Sequence, residues 1–484
     1  MTSTEISVTP GWRDVITGER LPRFALICVG VWLNAAETMM TATIMPSVAA
    51  DIRGYAWFGW VVAIYLVGSI VAGATAGRLA LQLGLKRSLA VGGVTYAVGC
   101  AAGALAPSIG FFIAGRLLQG VGGGWVVGLC FVAVTRLFPQ GLWSRVLSTL
   151  AAVWGVASLV SPLVGGLFAQ AGFWRGAFWL FAAQGVLFVV AAAVLVPPPS
   201  PDEEAPPAGR ISIPALATLT ASILAIGAAG LTTGVAASLL LAAIGIGLLG
   251  LFLVLNTRSA APLVPTEAAD PRTGTGAGLA VTFCMCAGTA SITAYLPALL
   301  QTLYGATPIL AGYILVSEAM TWTVAAFLVA SRPDSKVWLR VGGGGVTLAM
   351  AAFALIVPRG GLLLMPICTL ALGASFGAFW AFNTARMVAN APREEQAIAS
   401  ASSPTMQSIG TAVGSAASGV IANFLGFGHG LTLERARAGG FWLFAAFVPL
   451  TALGALAAWR ISQAQFDPAR LAEAALNTGG ETRR

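Results

Sequence analysis

The chain has 484 residues, of which 57% are hydrophobic and only 9% are charged. Soluble domains carry about 25% charged residues, so this chain lacks the polar side chains that a soluble surface needs. The net charge of +8 does not indicate nucleic acid as a partner, because the basic residues mark the ends of apolar segments and form no single face. The composition excludes a soluble globular protein and predicts an integral membrane protein.

Apolar segments long enough to cross a membrane follow a polar start. Residues 1–22 are predicted to form a cytoplasmic arm, since they lack the apolar core of a cleaved secretory signal. A transmembrane helix needs about 20 apolar residues. The fourteen predicted spans are residues 24–46, 57–78, 89–107, 111–135, 146–170, 176–196, 213–231, 235–255, 276–301, 309–330, 340–357, 362–385, 397–425 and 439–459. Twelve spans stay compatible with the sequence if the pair within 213–255 does not cross.

The basic residues give this count an independent check. If the N-terminus is cytoplasmic, twenty of the 26 Lys and Arg residues fall at the cytoplasmic face and five at the other. Arg116 is the one basic residue that remains inside a predicted span. Cytoplasmic loops carry an excess of Lys and Arg, so we predict that both termini are cytoplasmic and that the protein lies in the cell inner (plasma) membrane.

Two polar segments divide the predicted spans into groups of six, two and six. The first, PPPSPDEEAPPAGR, contains prolines and three consecutive acids that cannot span a membrane. This grouping predicts two similar six-helix bundles with an inserted helical pair. The predicted units are the first bundle at 23–196, a cytoplasmic linker at 197–212, the inserted pair at 213–255, a cytoplasmic loop at 256–273, the second bundle at 274–460 and a cytoplasmic tail at 461–484.

Several motifs in the first bundle follow an order typical of one transporter family. They are ETMMTATIMP at 37–46, GRLALQLGLKR at 77–87, RLLQGVGGG at 116–124, ASLVSPLVGG at 157–166 and WRGAF at 174–178. Together they resemble the major facilitator superfamily, and in particular its branch of fourteen-span drug:proton antiporters. The resemblance implies an all-α integral membrane fold in which two six-helix bundles open a central cavity to either side in turn.

The resemblance also implies a conformational role for several motif residues, and this chain departs from the family pattern at a few of them. Leu81 replaces an acid that helps to hold one conformation in the family. Ala157 and Ser161 replace glycines but are still small, and Glu37 replaces an aspartate of the branch. The residues to which the resemblance assigns a conformational role are Gly77, Gly84, Lys86, Arg87, Pro162, Gly165 and Gly166.

Charged residues inside apolar spans are the candidates for proton coupling. Glu37 and Glu318 are the only acids well inside predicted spans. Burial of a charge in a membrane is costly, and desolvation favours the neutral form of a carboxyl group, so such an acid can exchange a proton. We predict Glu37 as the coupling carboxylate and Arg116 as the cation that modulates it. A structural Glu37 and an interfacial Arg116 that reaches outward are the alternatives. Glu318 is predicted as a proton relay, a site for a cationic substrate, or a packing or gating acid.

Other polar and aromatic residues within the spans are candidates for lining a central cavity. Tryptophan offers a π face to cations, although near a span end it is more often an interfacial anchor. Asn383 has the alternative of pairing with Arg386 at the cytoplasmic edge. The candidate cavity residues are Asn34, Gln119, Trp154, Gln184, Trp322, Trp380 and Asn383.

These observations predict a monomeric proton-coupled antiporter that exports amphipathic or cationic small molecules. Its partners are the substrate, protons and membrane lipid. No cofactor or metal is implied, because no phosphate-binding loop occurs in the sequence and the single histidine, His429, cannot build a metal site. An enzyme is not expected, since a cluster of His, Ser or Asp at one membrane face is missing. The alternatives are an exporter of a lipid-like molecule, siderophore or organic acid, and a non-transporting sensor or scaffold.

Overall fold

A computed structural model describes residues 17–197, 212–232, 234–259, 262–330, 335–359, 361–392 and 395–463. The elements within these ranges are α-helices joined by short turns and 3-10 helices, with no strand among them. Three predicted segments lie mostly outside the described residues. The parts outside are residues 1–16 of the arm, 198–211 of the linker and 464–484 of the tail. The all-helical class predicted from the sequence is confirmed for the described part.

The first bundle consists of six long helices. They are α1 (Arg20–Ile52), α2 (Phe58–Leu83), α3 (Leu85–Leu105), α4 (Ile109–Leu137), α5 (Gln140–Gln170) and α6 (Trp174–Leu195). Each covers its predicted apolar segment to within about two residues, and most extend beyond it by a turn or more. Pro46 and Pro162 lie inside α1 and α5, as membrane helices tolerate when neighbouring helices satisfy the freed backbone groups.

The remaining helices form the inserted pair and the second bundle. The inserted pair is α7 (Ile213–Ala229) and α8 (Val235–Thr257). The second bundle is α9 (Gly274–Tyr304), α10 (Pro308–Ala330), α11 (Ser335–Ile356), α12 (Met365–Asn390), α13 (Gln396–Phe424), α14 (Leu433–Ala445) and α15 (Val448–Gln463). The last predicted span, 439–459, is therefore broken into α14 and α15 at Ala446 and Phe447. Pro449 follows the break, and proline disfavours helical geometry just before it.

Twelve helical segments in the described part of the chain are long and apolar enough to cross a membrane. The inserted helix α8 is one of them, and α14 with α15 counts as one. Of the fourteen predicted spans, α7 and α13 are missing from this set. Helix α7 has only 17 residues, and α13 carries many serine and threonine side chains that lower its apolar character.

The two bundles repeat one packing pattern. In the first bundle α2 packs on α4, α3 on α6, and α1 on α5; in the second, α10 packs on α12, α11 on α15, and α9 on α13. The contacts between bundles repeat as well, because α2 packs on α13 and α5 packs on α10. Helices α1 and α9 thus hold equivalent places, as do α2 and α10, and α5 and α13.

Close contacts between the bundles occur at the end of the molecule where α1 ends and α2 begins, here called the distal face. The opposite end, where α1 begins and α15 ends, is called the terminal face. Near the distal face the ring of Phe58 stacks on Tyr295 at 5.4 Å between centroids. Asn423 of α13 donates to the carbonyl of Ala56 at 2.7 Å. The distal half of the interface is therefore closed.

Candidate functional site

The centre of the first bundle contains a buried ion pair between α1 and α4. Arg116 Nη1 donates to Glu37 Oε1, and the two residues are 2% and 0% exposed. Thr41 Oγ1 donates to the same carboxylate oxygen at 2.5 Å, and Gln119 Oε1 accepts from Arg116 Nη1 at 2.6 Å. Thr41 and Gln119 follow their charged partners by four and three residues, which places them on the same helix face.

Helix α2 completes this cluster from a third side. Arg116 Cζ lies 4.4 Å from the centroid of the Tyr65 ring, and Arg116 Nε donates to the carbonyl of Val61 at 3.4 Å. The Tyr65 hydroxyl donates to Asn34 Oδ1 on α1. Tyr65 is not among the residues predicted from the sequence, although a tyrosine in the middle of an apolar span is a usable signal.

Glycines of the α4 motif RLLQGVGGG bring α2 and α4 into contact. A Cβ added to Gly120 would meet the backbone of Tyr65, and one added to Gly124 would meet the backbone of Ser69. Gly68 of α2 is equally tight, since an added Cβ would lie 2.6 Å from the carbonyl oxygen of Leu117. Small residues permit this approach between membrane helices, and the approach is what places Tyr65 against Arg116.

The cluster balances one buried charge with another. Arg116 is only 2% exposed, so the alternative of an interfacial Arg116 that reaches outward does not fit its burial. One Glu37 oxygen is held by Arg116 and Thr41, while Oε2 is buried and has no hydrogen-bond partner. A buried ion pair depends on both members, because removing either charge leaves the other uncompensated. The free oxygen gives a proton a place to bind within this cluster.

The second intramembrane acid, Glu318 on α10, has a different environment. It is half-buried, and no described side chain donates a hydrogen bond to its carboxylate. One turn further along, Trp322 stacks on Phe376 of α12 at 4.8 Å between centroids and lies 5.1 Å from Trp380. Glu318 therefore stands unpaired beside a group of aromatic rings.

The other predicted cavity residues do not gather in one place. Asn34 and Gln119 belong to the Glu37–Arg116 cluster, whereas Trp322 and Trp380 lie in the second bundle. Trp154 on α5 is 40% exposed. Gln184 accepts from Trp32 Nε1 at 3.1 Å and so joins α6 to α1.

Asn383 is buried in the second bundle, where it hydrogen-bonds to a neighbouring helix. It is 1% exposed, and its Nδ2 donates to Gly278 O at 3.1 Å and Thr282 Oγ1 at 3.2 Å. Both partners are on α9. Its neighbour Arg386 donates to the carbonyl of Ile461 at 3.1 Å and joins α12 to α15.

An apolar groove with a volume of about 350 Å³ opens between α1 and α5. Cys28, Val29 and Trp32 line it from α1, and Thr149 is the one residue with a hydroxyl group in the lining. Its volume falls within the range of small-molecule sites, roughly 300–1,000 Å³. A groove of this composition suits hydrocarbon and offers little to a polar solute. The α5 residues that line it are Thr149, Ala152, Val153 and Val156.

The predicted loop motif at 77–87 is almost entirely helical, which corrects the predicted span ends. Helix α2 continues to Leu83 and α3 begins at Leu85, so the turn is reduced to Gly84. Gly84 has φ +75° and ψ 156°, a conformation that glycine adopts readily and L-residues avoid. Gly77 and Arg87 are exposed and Lys86 is half-buried, while the side chain of Leu81 lies outside the described part.

The residues of the α5 motif divide between two interfaces. A Cβ added to Gly165 would lie 3.0 Å from Met40 Cγ, within the first bundle. One added to Gly166 would lie 2.8 Å from the Cα of Ile309 on α10, across the bundle interface. Pro162 packs against Gly312, also on α10. The motif thus serves both the internal packing of the first bundle and its contact with the second.

Most of the chain is similar in sequence to known transporters. The sequence model of the Major Facilitator Superfamily matches residues 27–415. A protein of Mycobacterium tuberculosis named as a probable multidrug-efflux transporter is 31% identical over 472 residues, covering 95% of this chain and 98% of the relative. The multidrug transporter protein MdtP of Bacillus subtilis is 22% identical over 419 residues, covering 82% of this chain and 74% of that protein.

Solved structures of transporters share this fold. A peptide transporter POT in complex with sulfate has a TM-score of 0.65 and 16% identity, covering 94% of this chain and 97% of the other. A D-xylose–proton symporter has a TM-score of 0.62 and 16% identity, covering 92% and 97%. At this identity the likeness concerns the fold alone, and it agrees with the predicted all-helical membrane fold.

Proposed function

Because the chain belongs to the Major Facilitator Superfamily, we propose that it is a proton-coupled antiporter that exports amphipathic or cationic small molecules. The family consists of transporters, so the chain is a multi-pass membrane transporter of small molecules and not an enzyme. Relatives named for multidrug efflux support export of drug-like compounds. Proton coupling and the direction of transport rest on the site.

The proposed topology has fourteen spans in the plasma membrane and both termini in the cytoplasm. The distribution of basic residues supports it, and so does the presence of a helix at each predicted span. The terminal face is then cytoplasmic and the distal face external. Since the transport pathway lies between two bundles of one chain, a monomer suffices. The closed distal half, where Phe58 stacks on Tyr295 and Asn423 donates to Ala56, supports a state that is closed toward the outside.

The observation that carries the proposal is the buried Glu37–Arg116 pair with its one free carboxylate oxygen. While Glu37 is ionised, Arg116 balances its charge and the cluster is neutral. A proton on Glu37 leaves one net positive charge in a buried site, which is unfavourable. Arg116 must then depend on its neutral partners, such as Gln119 and the Val61 carbonyl, or the site must open.

Coupling follows if the two protonation states of Glu37 favour different conformations. A ligand shifts a conformational equilibrium only through a difference in affinity for the two states, and the same holds for a proton. Tyr65 and Val61 place Arg116 against α2, the helix that closes the distal interface through Phe58. A change in the protonation of Glu37 is therefore transmitted through Arg116 to α2, the helix that has to move when the distal face opens.

Glu318 is proposed as the second functional acid, as a proton relay or as the group that recognises a cation. Its carboxylate lacks the internal cation that Glu37 has, and it stands beside the indole rings of Trp322 and Trp380. Aromatic faces attract cations, more strongly where water is excluded. An amphipathic cation would find both a counter-charge and an apolar contact here.

Vesicles that contain a pH-sensitive dye and the reconstituted protein test the proposal directly. A proton gradient is imposed, and amphipathic cations are screened for the ability to dissipate it. Glu37→Gln is measured beside the wild type, because it keeps the size of the side chain and removes the exchangeable charge. The expected result is dissipation by the wild type and none by Glu37→Gln. Normal coupling in Glu37→Gln would contradict the role of Glu37, and Glu318→Gln would then be measured.

The apolar groove between α1 and α5 favours a second candidate, export of a lipid-like molecule. Its hydrocarbon lining suits an acyl chain better than a polar solute. The same vesicles distinguish the candidates when lipid-like metabolites are added to the screen. Val156→Trp would fill the groove, and it should then reduce transport of the lipid-like compound and leave cation transport unchanged.

A further inference from the structure

The inserted pair of helices has no part in the proposed proton site, but it lies at an interface between the two bundles. Helix α7 packs on α2 of the first bundle and on α13 of the second. It therefore covers one of the two seams between bundles, whereas the seam between α5 and α10 has no such helix. If the bundles move relative to each other, α7 cannot keep both contacts unchanged.

We infer that the inserted pair is a fixed extension of the second bundle, and that its contact with α2 parts when the distal face opens. This inference rests on the proposed transport cycle but not on proton coupling. According to this inference, the pair adds a contact at the distal face and so stabilises the state in which that face is closed. Three sets of contacts lead to it.

The pair itself is held together by hydrogen bonds in its interior. Ser222 Oγ of α7 donates to the carbonyl of Gly245 on α8 at 2.6 Å. Ser238 Oγ of α8 donates to the carbonyl of Ala229 on α7 at 2.6 Å. Both serines are buried, and hydrogen bonds in an apolar surrounding are not easily exchanged for water. The two helices thus move as one body.

The pair is joined to the second bundle at both ends. Near the terminal face, buried Asn256 binds the loop after α8, with Nδ2 donating to Val264 O and Oδ1 accepting from Leu263 N, both at 2.7 Å. Thr266 of the same loop donates to Glu395 through its backbone N–H at 3.1 Å and its hydroxyl at 2.7 Å. Glu395 immediately precedes α13. The loop therefore ties α8 to the second bundle.

Near the distal face, α13 holds the end of α7. Asn423 Nδ2 donates to the carbonyl of Gly230 at 2.9 Å. A Cβ added to Gly230 would lie 2.9 Å from the Cα of Val420, so the two backbones are in close contact. The same Asn423 amide donates to Ala56 O of the first bundle, and that bond must break when the distal face opens.

Between the described residues, the contact of α7 with the first bundle is made by van der Waals packing and not by hydrogen bonds. The indole ring of Trp60 on α2 lies against Gly227, where an added Cβ would be 2.6 Å from the ring. The indole N–H is buried and has no hydrogen-bond acceptor. Among the described side chains of α7 and α8, none hydrogen-bonds to the first bundle. A contact without directional bonds loses little when its partners separate.

Cross-linking tests which of the two contacts changes during transport. In a background with the six cysteines replaced, one variant carries Trp60→Cys with Gly227→Cys, and a matched variant carries Gly230→Cys with Val420→Cys. Both pairs lie at the distal end of α7 and are linked by the same short bifunctional thiol reagent with a reducible bond. We expect the 60–227 link to lower substrate flux about tenfold or more, and reductant to restore it. We expect the 230–420 link to leave flux unchanged.

Each other result overturns the inference. Full flux with the 60–227 link would show that α7 stays with α2. Loss of flux with the 230–420 link would show that α7 moves against the second bundle. A distance between spin labels at positions 87 and 460, attached through keto amino acids that do not react with the thiol reagent, gives a readout without any substrate. The 60–227 link should then confine that distance to one population. If the wild type moves no protons but the links behave as expected, the proposed proton coupling fails and this inference stands.

Discussion

The guanidinium group of Arg116 lies over the ring of Tyr65, with Cζ 4.4 Å from the ring centroid. This contact joins the only described ion pair inside the first bundle's core to α2. On the same helix, Phe58 and Gly59 press against the second bundle. Tyr65 therefore connects the charged cluster with the helix that closes the distal face. The connection is through the ring as well as through the hydroxyl, and the two parts can be separated by substitution.

Tyr65→Leu should weaken proton coupling, while Tyr65→Phe should largely keep it. Phenylalanine retains the π face below Arg116 and loses only the bond to Asn34, whereas leucine loses the π face. A cation over an aromatic ring contributes about 0.5–2 kcal/mol. The measurement is the ratio of protons to substrate moved in vesicles, which a merely structural defect would not change. Equal ratios in the two variants would contradict a role for the ring.

Single removal of either charge in the buried pair should destabilise the protein more than removal of both. Arg116→Gln leaves an unpaired carboxylate, and breaking a buried pair from one side costs about 3–5 kcal/mol. The double variant with Glu37→Gln and Arg116→Gln leaves two neutral amides that can hydrogen-bond. Thermal unfolding in detergent should rank Arg116→Gln below the double variant. The reverse order would mean that the pair is not a charge-balanced unit.

Gly166→Leu should hold the distal interface apart, and Gly155→Leu in the same helix should not. A side chain at 166 meets the backbone of Ile309, while no atom lies within 4 Å of a Cβ at 155. Thr43, which is 1% exposed, reports the opening when it is replaced by cysteine. Its reaction with a membrane-impermeant maleimide should become faster in Gly166→Leu and stay slow in Gly155→Leu. Equal rates would place the closing contact elsewhere.

Glu318→Gln should reduce transport of lipophilic cations and leave neutral amphipathic compounds nearly unaffected. The glutamine keeps the size of the side chain but removes the counter-charge beside Trp322 and Trp380. Competition between a cation and a proton for one carboxylate would make cation binding in the wild type weaken as the pH falls. In Glu318→Gln that pH dependence should disappear. Retention of the same pH dependence would assign it to Glu37.

The sequence alone determined the class of the protein and the identity of its charged intramembrane residues. Apolar segments of membrane length follow from local composition, which is why a helix lies at every predicted span. Glu37 and Glu318 could be singled out for a similar reason, since a charge in an apolar segment is visible without any knowledge of neighbours. Family motifs then pointed to the transporter fold, which the comparisons confirm.

Only the tertiary structure decided which residues act together. The position of Tyr65 in an apolar span marks it as unusual, but its partners depend on glycines of α4, more than fifty positions later, that bring the two helices into contact. The hydrogen bonds of Asn383 could not be predicted for the same reason, since its partners lie on α9 and local sequence does not reveal them. Gly165 and Gly166 are neighbours in sequence and serve different interfaces, because successive residues of a helix point about 100° apart. Composition fixes where a chain enters the membrane, whereas the partners of a buried polar group depend on contacts between helices distant in sequence.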